Sequence, residues 1–366
     1  MAKTLTQIAG YEAMMGVVER IKAGLPADIL PSGFFTTTRG IEGAQGAYWR
    51  VDGTRTVARQ AAYGSPSRRA NLQGVTKVPV TLIHSIEHIL HEVATFAQLT
   101  DWENPRRQQL GQDEIDRQSG EFFRLFRNLR TSAVFSALTL GAIYFDGNGN
   151  LLPSSTGAVV SVDFGIPAGN KDQLDILGDG AIIGASWATA ATDIIGDLRA
   201  VKTQMRKLGG WVPKYAFYGD NIPGYLLGNT AFGKIMQSDS FAASQLRAGV
   251  IPDGTGGFNW RPLGEAFFVD QDGTTQSWCG GDTVVFAPEP SADWWEIIEG
   301  TYPVPTDLGV VTRDAAGMTA NVTEERGFAS WCSMNDDPVT IKQLAKDDFL
   351  PIIKAPYAIA IAEVTP

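Results

Sequence analysis

The sequence predicts an α+β fold, and three observations predict it. An amphipathic run from Asp113 to Leu140 carries Ile115, Phe122, Phe126, Leu129 and Ala133 at three- and four-residue steps, which marks one long helix with a buried stripe. That helix leads into a turn, Phe145-Asp146-Gly147-Asn148-Gly149-Asn150, and a strand ending Val162-Asp163-Phe164-Gly165. Upstream, strand-like runs flank a basic turn between residues 48 and 81.

The long helix opens with Asp113, Glu114 and Asp116 and carries Arg117, Arg124, Arg127 and Arg130 further on, an order that suits the helix dipole. At about 1.5 Å per residue it would run roughly 40 Å. Gly120 is its expected weak point, at a cost of about 1 kcal/mol. The Asn-Gly steps after Phe145 take the positive φ angles of a tight hairpin turn.

Before the helix, residues 1–47 hold a helical piece at Tyr11 to Ala23, breaks at Pro26, Pro31 and Gly33, and an extended Phe34 to Thr38. They carry little self-contained core and read as an arm. Tyr48 to Val51, Thr56 to Ala61 and Val75 to Thr81 read as strands of a long hairpin. Arg50, Arg55, Arg59, Arg68, Arg69 and Lys77 decorate it, with no acid after Asp52. An isolated hairpin of this length is marginal in water, so it is expected to pack on another chain, with these six residues as contacts. Residues 83–100 read as a short helix, followed by a link containing Pro105.

After the helix come a helix at Ala188 to Leu208, a strand at Tyr215 to Tyr218 and a helix near Ile222 to Leu227. Strands follow at Glu265 to Val269 and Thr283 to Ala287. Tyr357 to Ala362 alternates large and small residues, as a strand with one closely packed face does.

The 366 residues are enough for a full core and two domains, and 44% hydrophobic with 19% charged residues is ordinary for a folded chain. The longest nearly apolar run, Ala133 to Phe145, falls short of the roughly 20 residues a membrane span needs. Met1-Ala2-Lys3-Thr4-Leu5 does not read as a signal peptide. Cys279 and Cys332 read as buried thiols. The net charge of −10 is uneven: residues 1–82 hold ten Lys and Arg against five acids, and residues 141–330 hold eleven against twenty-two. A basic arm on an acidic body suits subunits lying on one another, and the overall acidity argues against a dedicated nucleic-acid binder.

His84, His88 and His91 cluster, and His84-Ser85-Ile86-Glu87-His88 fits the H-x-x-E-H pattern of one zinc-peptidase class. On a helix the histidines would share a face, with Glu87 as a base. Polar residues on an ordinary helix face are the competing reading. Gly178-Asp179-Gly180 with Gly184 misses a dinucleotide fingerprint, and Asp270-Gln271-Asp272-Gly273 reads as a hairpin turn rather than a calcium loop. Trp294-Trp295 reads as buried packing.

The order of parts resembles the tailed-phage and herpesvirus major capsid fold, often called the Hong Kong ninety-seven fold. Within it, the chain is most similar to the lambda-like coat family, major capsid protein E. Three stretches carry the resemblance. They are the long helix through Gly141-Ala142-Ile143 to Val162-Asp163-Phe164-Gly165, with Trp187 and Asp197-Leu198 after it; Pro213 to Asn229; and Asp337-Pro338 through Leu350-Pro351 to Pro356-Tyr357-Ala358-Ile359. The histidine cluster and the segment Trp294 to Arg313 depart from the family's pattern.

The resemblance implies an N-terminal arm (1–47), an extended loop (48–82), a peripheral domain with a spine helix (83–165 and 331–366) and an axial domain (166–330). It implies no active site, no cofactor and no metal. The implied work is self-assembly into pentamers and hexamers of an icosahedral head around double-stranded DNA, without sequence-specific DNA binding or a membrane. Implied partners are a scaffolding protein, a portal and a decoration protein, with assembly in the host cytoplasm. No fused scaffold is expected, because the coat-like pattern begins within about 50 residues of Met1. Lys77 is the only lysine of the loop, which argues against a lysine-based crosslink. The alternatives are another virion or carbohydrate-binding structural protein, resting on the Gly- and Trp-rich body, and a zinc hydrolase built on His84 and His88.

Overall fold

The computed structural model describes residues 11–24, 30–51, 75–91, 104–167, 170, 183, 185–237, 240–263, 267–269, 273–305, 313–314, 317–318, 322–336 and 339–365. In chain order the first half contains α1 (Tyr11–Gly24), α2 (Gly33–Thr36), β1 (Thr38–Glu42), β2 (Gln45–Val51), β3 (Val75–Thr81), β4 (Ile83–His91) and α3 (Pro105–Leu140). It continues with β5 (Ala142–Phe145), β6 (Leu151–Leu152), β7 (Val160–Asp163), α4 (Ile194–Gly209) and β8 (Tyr215–Tyr218). The second half contains α5 (Ile222–Gly228), α6 (Thr230–Gln237), α7 (Ser240–Arg247), β9 (Asn259–Pro262), β10 (Phe267–Val269), β11 (Thr275–Ser277) and β12 (Thr283–Ala287). Then come β13 (Trp295–Pro305), β14 (Arg313–Asp314), β15 (Gly317–Met318), β16 (Val322–Arg326), β17 (Ala329–Asp336), β18 (Val339–Ile353) and β19 (Ala360–Glu363).

The spine helix α3 starts eight residues before the Asp113 expected from its acids. Asn104 caps it by accepting from the Arg107 N–H, and Pro105 sits at the first turn, where its missing N–H costs nothing. The first turn therefore holds no acid and the last turn no base, so the expected dipole match is absent. The apolar stripe is where periodicity placed it: Ile115, Phe122, Phe126 and Ala133 are buried and Leu129 partly so. Gly141 ends the helix in the left-handed region (φ 64°), its N–H bonded to the Ala137 carbonyl. The turn after β5 is built by Asp146, whose carboxylate accepts from the backbone N–H groups of Asn148 and Asn150. Gly149 supplies the positive φ.

The spine packs on a six-stranded sheet ordered β1-β13-β18-β17, with β16 also on β13 and β4 on β18. β13 lies parallel to β1 and antiparallel to β18 and β16. β13 and β16 thus share the sheet of 329–353, whereas the sequence partition grouped them with 166–330. A second sheet, β19-β12-β8-β9, is a wall between two cores. Ile359, Ile361, Phe217, Val285 and Ala287 face the core that includes the spine's Ala133, Phe135 and Leu138. Their neighbours Ala360, Ala362, Ala216, Tyr218, Val284 and Phe286 face a core built with α4, α5 and Trp260. The large-small alternation near the C-terminus therefore marks a strand packed on both faces rather than on one.

Other expectations differ locally. Phe34 and Phe35 lie in the short helix α2, where Phe34 packs edge-on to Trp294 and Trp295. α4 begins at Ile194 rather than Ala188, because Asp193 caps it by accepting from the Gly196 N–H. The expected strand Thr56 to Ala61 and the Gly178–Gly184 loop lie outside the described residues. Trp294 and Trp295 are fully buried, as packing predicts. β10 and β11 pair antiparallel, and Asp270 to Asp272 of the expected turn between them lie outside the described residues. Cys279 and Cys332 are buried free thiols, and burial pushes both up to about 12.

Candidate assembly surface

Of the six basic residues singled out in the sequence, Arg50 and Lys77 are described; Arg55, Arg59, Arg68 and Arg69 lie outside the described residues. The strands β2 and β3 that frame the basic segment pair antiparallel from Gln45–Thr81 to Val51–Val75. Alternation gives the ribbon two faces. Tyr48, Val78 and Val80 turn toward the body. Trp49 sits opposite Lys77 on the other face and is 58% exposed, with Val75 exposed beside it. At one end the Leu82 N–H extends the ladder to the Ala44 carbonyl, and at the other the Val51 N–H ties the ribbon to the Lys354 carbonyl, just after β18. Arg50 lies against Gly165, where a Cβ would stand 2.7 Å from its Nη1, and Gly165 also has φ 72°. The positive φ favours glycine there, and a larger residue would also displace the Arg50 guanidinium.

Beneath the ribbon runs a trough of about 670 Å³ between its inner face, the start of β4, the spine at Leu129 and the β5–β7 sheet. Its apolar wall includes Tyr48, Val80, Leu129, Phe145, Val160 and Val162, and Asp146 and Asp163 line it as well. A smaller hollow of about 210 Å³ shares Ser85, Leu129 and Gly149 with it and extends along the spine past Leu125 to Phe268 and Val269. Glu87 lines this part. Among the described residues, no lysine or arginine lines either hollow. Desolvation works to raise the Asp146 carboxyl, but the N–H groups of Asn150 and Asn148 outweigh it and hold the group below the usual carboxylate range. Val159 and Val269 are 72% and 67% exposed at the rims. The sequence reading named the cations and missed this acidic, apolar counterpart. Its only signal was the acid excess downstream of residue 141, because the trough draws residues from segments far apart in the chain.

Under the trough a buried charge cluster fixes the spine to the sheet. Arg130 donates from Nη2 and Nε to Asp347 (2.7 and 2.5 Å) and from Nη1 to Glu299 (2.8 Å). Glu299 also meets Arg326 at 3.1 Å, and Asp348 meets His84 at 2.6 Å and Lys346 at 3.0 Å. Burial opposes the charge on Arg130, but its two carboxylates outweigh it and keep the guanidinium cationic.

The histidines do not converge. Residues 83–91 form a strand rather than the expected helix, so His84 and His88 lie on the outer face, about 13 Å apart at roughly 3.3 Å per residue. Glu87 and His91 turn to the opposite face, under the spine. The zinc-peptidase pattern requires a helix and is dismantled by the pleat. Among the described residues no group of three His, Cys, Asp or Glu side chains could hold a metal ion, and no described helix is long and apolar enough to cross a membrane.

A putative capsid protein of a prophage of E. coli CFT073 superposes with a TM-score of 0.55 at 13% identity, covering 97% of this chain and 98% of that one, and so shares its fold. A phage-related protein from Bordetella bronchiseptica RB50 aligns over 96% of each chain at 10% identity and a TM-score of 0.46. No curated protein matches the chain. The family model of phage major capsid protein E matches residues 90–364. The chain belongs to the phage major capsid protein E family and is a structural coat protein of the icosahedral phage head, not an enzyme.

Proposed function

We propose that this coat protein forms the pentamers and hexamers of a head enclosing double-stranded DNA, and that residues 48–82 of each subunit lie across a neighbour. One observation supports this reading above the others. A segment with four arginines, 52–74, leaves the far end of the β2–β3 ladder, while an apolar trough lined by Asp146 and Asp163, with Glu87 in the hollow that adjoins it, lies beneath the ribbon. Their charges suit the two to each other, and their places relative to the ribbon suit an encounter between subunits. Arg50, Arg55, Arg59, Arg68, Arg69 and Lys77 are the proposed inter-subunit contacts. Each exposed pair contributes about 0–1 kcal/mol, so apolar burial, at roughly 25 cal/mol per Å², supplies most of the shell's cohesion.

In this reading residues 1–47 act as an arm and the spine with the six-stranded sheet as the peripheral domain, now including β13 and β16. Residues from 166 to about 290 act as the axial domain. Assembly takes place in the host cytoplasm with a scaffolding protein and a portal, and a decoration protein can clamp the finished shell. DNA is confined rather than bound, in keeping with a chain of net charge −10.

The test is charge reversal read by negative-stain microscopy. The double variant Arg68→Glu/Arg69→Glu should stay folded and fail to form shells. Adding Glu87→Lys and Asp163→Lys should restore some assembly. Normal shells from the first variant would refute the extended-loop assignment.

A further inference from the structure

His91 is 1% exposed and sits where the end of β4, the middle of β18 and the N-terminal half of the spine α3 meet. The hydrogen bonds around it fix its tautomer. The Ser119 hydroxyl donates to the Ile115 carbonyl (2.6 Å) and the Ser330 hydroxyl to the Leu344 carbonyl (3.1 Å). Their protons are therefore spent, and both oxygens accept from the Gln343 side-chain nitrogen, at 3.0 and 3.2 Å. The Gln343 oxygen must then point at His91, 3.1 Å from Nε2. An oxygen there accepts, so Nε2 carries the ring proton and Nδ1 is bare. Among the described residues, His91 Nδ1 is a buried acceptor without a hydrogen-bond partner, and so is Gln118 Oε1 on the spine.

We infer that His91 is a proton-operated latch: the neutral ring seats the N-terminal half of the spine on β4 and β18, and protonation at Nδ1 releases it. A proton there would place a full charge on a buried ring that, among the described residues, is bonded only through Nε2 to Gln343. The surrounding groups do not remove that penalty. The spine presents Glu114, whose carboxylate is held by Arg117 (2.6 and 3.0 Å) and by the Gln118 amide (2.6 Å). β18 presents Asp347 further along the same face, already committed to Arg130. β17 presents the Cys332 thiol, kept protonated by burial, and β4 itself presents Glu87. α1, which packs on α3 and β17, turns Met14, Val17 and Val18 inward and carries Glu12 and Glu19 at exposed positions.

Burial pushes His91 below its ordinary value, against the raising effects of Gln343 and Glu114. The sign follows from linkage. Above the open-state pKa of about 6.5 both seated and released states are neutral and the seat is at full strength. As pH falls below that value the released state takes up a proton that the seated state refuses, and the seat weakens until the depressed pKa is reached.

Hydrogen exchange on the full chain between about pH 7.5 and 5, corrected for the intrinsic pH dependence of exchange, reads this directly. Peptides covering 105–120 should open about tenfold more per pH unit below about 6.5, the slope of one proton, with 129–140 unchanged. His91→Gln keeps a donor nitrogen near the Nε2 position and cannot titrate, so its 105–120 peptides should lose that slope. An equal slope in the variant, or none in the wild type, overturns the proposal. If the variant does not fold, nitrogen-15 spectra of the three labelled histidines decide the matter in the wild type. A neutral ring with the proton on Nε2, titrating only as 105–120 opens, is expected. An Nδ1–H tautomer, or ordinary titration in the seated state, overturns it.

Discussion

Arg130 reaches from the spine into the large sheet and meets Asp347, 217 residues away in sequence, and Glu299. From sequence it was one arginine of four, assigned to the helix dipole; nothing in its neighbours announces partners so distant. Arg130→Met should destabilise the fold by about 3–5 kcal/mol in denaturant unfolding, because two carboxylates lose their shared cation. Burial already raises the Asp347 carboxyl. Without Arg130 it should titrate higher still, so the gap between variant and wild type should narrow as pH falls and that group takes up its proton. A gap that widens in acid would contradict the assignment. Cys279 and Cys332 allow a simpler check: with both thiols pushed up to about 12, neither should react with a disulfide reagent near pH 8 until the chain is denatured.

The elements show where periodicity is decisive and where it is ambiguous. Over the spine the three- and four-residue steps persist long enough to admit one reading, and its C-terminus follows from Gly141. Gly141→Ala should cost about 1 kcal/mol or more, since φ 64° strains any side chain. Thermal unfolding would measure it. At 83–91 the same reasoning fails. Ile83, Ile86 and Ile89 recur every third residue, which imitates a helix. The strand instead places Ser85, Glu87 and His91 under the spine and leaves Ile86 and Leu90 50% and 58% exposed, so the usual inside-outside alternation is blurred. The β-branched isoleucines were the available signal. The acidic trough was illegible for a different reason: the ribbon, β4, the spine and the β5–β7 sheet each supply a wall, and only the fold brings them together.

At the scale of the whole molecule, the two cores share one wall, and residues 339–363 serve both. β18 stands between β17, β4 and β13 in the large sheet, while β19 closes the edge of the four-stranded wall. A chain cut after Lys354 would keep the first sheet, lose Ala360, Ala362 and Val364 from the second core and take Ile359 and Ile361 from the first. Hydrogen exchange should then show protection lost first around α4, β8 and β12, with the spine region less affected. Loss of both regions together would mean the cores are not separable. The placement of these strands also bears on timing. A nascent chain emerging from the ribosome cannot close either sheet until 339–363 has been delivered. On the proposed reading the trough, walled in part by β4, which pairs with β18, is therefore completed late, and half-made chains on one polysome would be shielded from premature association.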